Sequence, residues 1–105
     1  MVYPRNGGMD YEVFCLGVVA QSIRNLHQQA VKQGRGEAMV VAFREAVKQL
    51  KKRAANFGEP LYRLPVLRMI IRHALIRPIA ILFGVCEDRP LVFIKSVTLL
   101  SLPHG

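Results

Sequence analysis

The last 44 residues of the chain, Tyr62 to Gly105, have the pattern of three consecutive strands, and the first of these is cationic. It contains the run LRMIIR, and successive side chains of a strand point to opposite faces. Arg68 and Arg72 are therefore predicted to share a solvated face with Ile70. This block follows a long basic helix, and that order of elements restricts both the fold and the partner.

The other two strands of this block form a hairpin. The run Ile79 to Val85 is apolar on both faces, which is typical of a central strand. Glu87 to Pro90 interrupts the apolar pattern with charge and a proline, and Leu91 to Thr98 resumes it. Lys95 is the only charge in this last strand. We expect an antiparallel meander from these segments.

The first half of the chain predicts one strand and two helices. Tyr11 to Val18 is mostly apolar and favours a strand. A helix follows, in which Val19, Ile23, Leu26 and Ala30 recur at helical spacing, and it ends at two glycines. From Glu37 to Phe57 apolar residues repeat every three or four positions, opposite a cationic side. Gly58 and Pro60 end this second helix.

These elements predict an α+β fold of two layers in the order β-α-α-β-β-β. A helical hairpin packs on one face of an antiparallel four-stranded sheet. We expect a single domain over residues 9–101, a flexible leader over 1–8 and a flexible tail over 102–105.

Composition restricts the partner and the compartment. Fifteen Lys and Arg residues against seven Asp and Glu give a formal charge of +8, so nucleic acid, an anionic membrane surface and an acidic protein are candidate partners. No apolar stretch reaches the ~18 residues of a spanning helix, and no secretory leader is evident. Cys15 and Cys86 lie in apolar runs without metal-ligand spacing. We expect buried free thiols, no metal or cofactor, no membrane association and a cytoplasmic location.

The stretch Gly58 to Ser101, GEPLYRLPVLRMIIRHALIRPIAILFGVCEDRPLVFIKSVTLLS, resembles the RelE/ParE superfamily of bacterial type II toxin-antitoxin systems. In that family a Gly-x-Pro-Leu-like entry, a strand ending in Ile-Arg, a strand similar to YRVIY and a final apolar strand occur in this order. Gly58 to Leu61, Ile71 with Arg72, and Ile79 to Val85 occupy the first three places. The resemblance implies a small toxin with an acidic antitoxin partner.

The resemblance implies one of two activities. RelE-like members cut messenger RNA in the ribosome, using cationic residues of the sheet and, in many cases, a C-terminal tyrosine or histidine. ParE-like members inhibit DNA gyrase without that set. This sequence departs from the RelE pattern because Ile79 or Ala80 stands where an arginine is expected, and no Lys, Arg and Tyr cluster follows Lys95.

Candidate site residues follow from the cationic strand and the basic helix. The predicted catalytic residues are Arg68, Arg72 and His104. The predicted nucleic-acid contacts are cations of the sheet and helix, whose alternative role is to keep those surfaces solvated: Arg63, Arg68, Arg72, Arg77, Lys95, Lys48, Lys51 and Lys52. His73 is predicted to face the helices.

The functional prediction is a RelE/ParE-like toxin that binds RNA or a ribosomal site through a basic sheet face. It includes metal-independent endoribonuclease activity with an incomplete catalytic set. The alternatives are a non-catalytic ParE-like inhibitor or protein-interaction module, and a general nucleic-acid-binding protein. The sequence leaves the oligomeric state open.

Overall fold

The computed structural model describes residues 10–101. The predicted leader, the predicted tail and His104 lie outside these residues. The described elements, in chain order, are strand β1 (Glu12–Cys15), helix α1 (Gly17–Lys32), helix α2 (Gly36–Arg53), a short 3₁₀ turn (Ala54–Asn56) and strands β2 (Glu59–Leu64), β3 (Met69–Ile76), β4 (Ile79–Cys86) and β5 (Leu91–Leu99). The α+β class is as predicted.

The sheet has five strands in the order β1-β5-β4-β3-β2, and it is mixed because β1 pairs parallel with β5. The prediction of four antiparallel strands is therefore wrong in two details. The strand that was missed is β2, which contains Pro60. Proline lacks an amide proton, but β2 is an edge strand, where one missing donor is tolerated, and a register shift lies between Pro60 and Tyr62.

Both helices pack against the sheet, and the main core lies between the two layers. Met39, Ala42, Ala46 and Leu50 of α2 are buried there. α2 ends at Arg53, four residues before the predicted end, because the chain tightens into the 3₁₀ turn. β1 is shorter than the predicted strand from Tyr11 to Val18, because Gly17 and Val18 belong to α1. Cys15 at the end of β1 is exposed, so the prediction that it is buried is wrong. No helix within residues 10–101 is long and apolar enough to span a membrane.

Strand pairing fixes which side chains face the helices. Ile79, Ile81, Phe83 and Val85 belong to the main core, so the residues directly opposite them on β3 share that face. Arg72 is opposite Phe83 and therefore lies on the helix side of the sheet. The prediction that Arg72 lies on a solvated face away from the helices is wrong.

Arg68 does not belong to a strand. It ends the turn that joins β2 and β3, with a backbone φ of 50°, and its carbonyl accepts a hydrogen bond from the Glu87 amide at 2.8 Å. Because Arg68 lies in the turn, the alternation of side chains along a strand does not place it on the same face as Arg72. Their predicted pairing is therefore wrong.

The other side of the sheet, which we call the uncovered face, is turned away from both helices. A row of residues crosses it on all five strands: Phe14, Phe93, Gly84, Ile71 and Tyr62. The Phe14 and Phe93 rings stack with centroids 5.3 Å apart. A side chain at Gly84 would meet the Met69 sulfur, so Met69 fills the space that the glycine leaves. The uncovered face is therefore apolar rather than basic.

Candidate nucleic-acid interface

Arg63 and Arg68 lie at one end of the sheet, beside the acidic turn between β4 and β5. The Arg63 guanidinium nitrogen Nε is 3.0 Å from Glu87 Oε1, and Arg68 Nη1 is 3.9 Å from Asp88 Oδ2. Arg89 also approaches Asp88, at 4.0 Å. Three arginines thus share two carboxylates, so this end of the sheet has little net positive charge. All three pairs are solvent-exposed, and such pairs contribute ~0–1 kcal/mol to stability.

Arg72 is bound to the backbone of the segment that follows α2. Its Nε donates to the Phe57 carbonyl and its Nη2 to the Gly58 carbonyl, each at 2.9 Å. Carbonyls at a helix end lack partners within the helix, and the planar guanidinium satisfies two oxygens at once. Two of its nitrogens are therefore engaged in holding the chain where α2 leads into β2.

Gly58 brings that segment close to β3. Its φ is +70°, and a Cβ atom there would lie 2.1 Å from the His73 carbonyl oxygen. Only glycine fits this approach, which positions the Phe57 and Gly58 carbonyls within reach of Arg72. The glycine predicted as a helix stop thus also shapes the arginine's binding site.

Arg77 and Lys95 are exposed cations of the sheet without an ion pair within the described chain. Arg77 lies in the turn between β3 and β4, before a cis peptide bond to Pro78. Lys95 lies where the pairing of β4 with β5 shifts register, between Ile94 and Ser96. They are single charges on different elements.

α2 presents the densest group of cations without acidic partners. We call the exposed side chains of Arg44, Lys48, Lys51 and Lys52 the α2 cationic surface. Their spacing places them along one side of the helix, since residues three and four apart are neighbours. None of them lies within 4.0 Å of a carboxylate among residues 10–101. Lys51 and Lys52 in the last turn also complement the negative end of the helix dipole.

A groove of about 430 Å³ lies between α1 and α2, and all of its lining residues belong to these two helices. Ile23, Met39, Val40 and Phe43 contribute its apolar lining. Its polar lining contains no carboxylate and consists of Arg24, His27, Gln28 and Arg44. Arg44 therefore belongs to both the groove and the α2 cationic surface.

His73 faces away from the helices, so the prediction for its side chain is also wrong. It is opposite Leu82 on β4 and opposite Glu59 on β2, and all three lie on the uncovered face. This error and the one for Arg72 have the same cause: adjacent residues of a strand point to opposite faces, so assigning one to the wrong face also misassigns the other. Among residues 10–101 no cluster of three histidine, cysteine or acidic side chains could hold a metal ion.

The fold and these surfaces define a small basic α+β protein with an apolar sheet face and a cationic helix. No family model, no curated protein and no solved structure matches the chain. The RelE/ParE resemblance therefore stays a prediction.

Proposed function

We propose that this chain is a RelE/ParE-like toxin-type protein that binds RNA, and that the α2 cationic surface makes the principal contact. One observation favours α2 over the sheet: its four cations are exposed without carboxylate partners within the described residues, whereas Arg63 and Arg68 lie beside Glu87 and Asp88. Cations already neutralised by carboxylates release fewer counterions from RNA and contribute less affinity.

The geometry of α2 suits a nucleic-acid backbone. Arg44 and Lys52 are eight residues apart, which is ~12 Å along the helix axis at ~1.5 Å per residue. Phosphates of one strand of a nucleic-acid helix are spaced ~3.4 Å along the axis, so three or four can face this surface. Flexible lysines bind phosphates as point charges without reading bases, so we expect little sequence preference.

RNA cleavage is not part of this proposal. Of the three residues predicted to catalyse it, Arg72 binds two backbone carbonyls on the helix side of the sheet. Arg68 lies on the turn beside Asp88. His104 lies outside the described residues.

The test measures RNA affinity against salt. With four phosphate contacts, the slope of log K against log salt is about −2.8 for a single strand, so affinity falls ~50-fold between 50 and 200 mM. Fluorescence anisotropy with a labelled 12-nucleotide RNA gives this slope. Replacing Lys48, Lys51 and Lys52 by glutamine leaves one contact, and the same change in salt then weakens binding only ~2.6-fold.

A charge-matched control distinguishes the α2 cationic surface from general basicity. Replacing Arg63, Arg68 and Arg89 by glutamine removes the same three charges at the sheet end, where carboxylates neutralise them. We expect this variant to keep a slope close to −2.8. Equal losses in both variants would show that net charge alone governs binding and would reject α2 as the contact.

The toxin part of the proposal is tested separately by induced expression in bacteria. Wild-type protein is expected to arrest growth, and the Lys48, Lys51 and Lys52 variant is expected to relieve the arrest. Normal growth with wild-type protein at equal expression would reject the toxin assignment and leave RNA binding standing.

A second candidate function, a protein-interaction module, is favoured by the groove between the helices. Its apolar lining and basic rim suit an acidic amphipathic segment, such as that of an antitoxin. Replacing Arg24 and Arg44 by glutamate should abolish binding of such a peptide. The reverse result, tighter binding, would reject this function.

A further inference from the structure

The central row of the uncovered face is apolar on all five strands. Ile71 is fully buried and Cys86 is 8% exposed there, although both helices lie on the other side of the sheet. Met69 is opposite Cys86, and its side chain and that of Ile71 both lie over Gly84. An apolar sheet face is the kind of surface that packs against a second sheet.

Large apolar side chains of this face remain exposed to solvent. Leu75 is 61% exposed, Tyr62 50% and Phe14 39%. Phe14 and Tyr62 are the two ends of the apolar row, on the edge strands β1 and β2, and Leu75 lies on β3. Large exposed apolar side chains grouped on one face mark interaction sites on small proteins.

Charge on the uncovered face is sparse and nearly balanced, although the whole chain has a formal charge of +8. Glu12 and Glu59 face this side through their pairing with Leu91 and His73. Lys95 lies at the bulge beside it. The face therefore offers little attraction to a strongly charged partner of either sign.

RNA bases are poor occupants of this face. Phe14 and Phe93 stack on each other, so one face of each ring is already covered. Phe14 and Tyr62 lie on the two edge strands, four strand spacings or ~19 Å apart. Successive stacked bases need aromatic rings much closer than this.

We propose that the uncovered face is a homodimer interface, on which a second copy of this chain packs its own uncovered face about a two-fold axis. The strand lengths, at ~3.3 Å per residue and ~4.8 Å between strands, give a face of roughly 550 Å². Two such faces bury about 1,100 Å², which passes the ~1,000 Å² that a specific interface needs.

This arrangement also avoids repulsion between two basic chains. The helices of each copy lie on the outside of the dimer, beyond their own sheets. With sheets ~10 Å apart and a helix layer ~10 Å thick on each side, the two α2 cationic surfaces are at least ~30 Å apart. That distance is several Debye lengths at physiological salt, where one length is about 8 Å.

Sedimentation equilibrium of the full chain from 2 to 200 µM tests the proposal. We expect twice the monomer mass at the upper concentrations and concentration-dependent dissociation below. Leu75→Glu places a carboxylate in the interface twice, once from each copy, and should raise the dimer dissociation constant at least ~100-fold. Wild-type protein that is monomeric at 200 µM, or that forms larger assemblies, would overturn the proposal.

Val41→Glu is the matched control, because Val41 is 59% exposed on α2, close to the 61% of Leu75. This variant should dimerise within ~3-fold of wild type. Tyr62→Glu and Val31→Glu form a second pair with similar exposure, 50% and 56%, in case the first variant does not fold. Equal dissociation constants within both pairs would overturn the proposal.

The effect of salt concentration distinguishes dimerisation from RNA binding. Dimerisation through apolar faces should hold or strengthen between 50 and 500 mM salt, whereas RNA binding weakens. A dimer that weakens more than 10-fold over this range would contradict an apolar interface. The α2 variants should lose RNA binding but still dimerise, so either proposal can be rejected without rejecting the other.

Discussion

Replacing Arg72 by alanine should destabilise the protein while leaving RNA binding unchanged. Its side chain holds the Phe57 and Gly58 carbonyls through two hydrogen bonds of 2.9 Å. A phosphate-binding arginine would give the opposite result, with reduced RNA affinity and unchanged stability. This one substitution therefore distinguishes the structural role from the catalytic role that the sequence predicts.

The size of the effect follows from the two contacts. A hydrogen bond from a charged donor contributes ~1.5–3 kcal/mol, but Arg72 is half-buried and water can reach the carbonyls once the side chain is gone. We therefore expect Arg72→Ala to lower the free energy of unfolding by ~2 kcal/mol, or Tm by ~10 °C. Arg72→Lys keeps the charge but cannot span both oxygens, so a loss of ~1 kcal/mol is expected.

Urea unfolding monitored by circular dichroism measures the stability, and RNA anisotropy at 10 °C measures binding while every variant is folded. Arg77→Ala is the control, because Arg77 is an exposed turn arginine without an ion pair in the described chain, and it should cost less than ~0.5 kcal/mol. A stable Arg72→Ala variant that loses RNA affinity more than 10-fold would refute this reasoning.

Two further predictions concern the backbone and the thiols. Gly58→Ala should lower the free energy of unfolding in urea by at least ~3 kcal/mol more than Gly34→Ala does. Both glycines have a positive φ, but only at Gly58 would a Cβ atom collide with the His73 carbonyl. Equal losses would contradict the close approach. Burial raises the pKa of the Cys86 thiol; the nearby Arg89 charge opposes this shift and Asp88 adds to it, both to a smaller extent. At pH 8 iodoacetamide should therefore alkylate the exposed Cys15 faster than it alkylates Cys86. Below the ordinary thiol pKa of ~8.5, Cys86 is protonated in both the folded and the unfolded state. Above that pH the unfolded chain releases the proton first, so the free energy of unfolding should fall as pH rises. The Cys86→Ala variant should lack this fall. Equal alkylation rates for the two thiols would contradict the burial of Cys86.

The sequence predicted the class and the order of most elements because long apolar patterns determine them. The stripe of α2 and the apolar run of β4 are each long enough to show their period, and both elements are present. The turn from Glu87 to Pro90 was equally clear from its charges and proline, and β4 and β5 pair antiparallel across it.

The faces of β3 could not be predicted in the same way. Its sequence from Met69 to Ile76 has apolar residues on both sides, so alternation alone does not say which side meets the helices. The pairing with β4 decides, and it places Arg72 opposite Phe83. The polar residue therefore lies on the helix side, where a local need for hydrogen-bond donors outweighs its preference for solvent.

The distribution of acidic residues is the reason that we propose an electrostatic contact on a helix, whereas the sequence predicted one on the sheet. Glu87 and Asp88 lie beside the sheet-end arginines, Glu37 lies at the positive end of α2, and Glu45 accepts a hydrogen bond from Gln49. The α2 cationic surface therefore lacks acidic partners among residues 10–101, and the formal charge of +8 is concentrated on the helix side. This uneven charge distribution favours a polyanion at the helices over the sheet, so the proposed RNA contact and the proposed dimer interface use opposite sides of the protein.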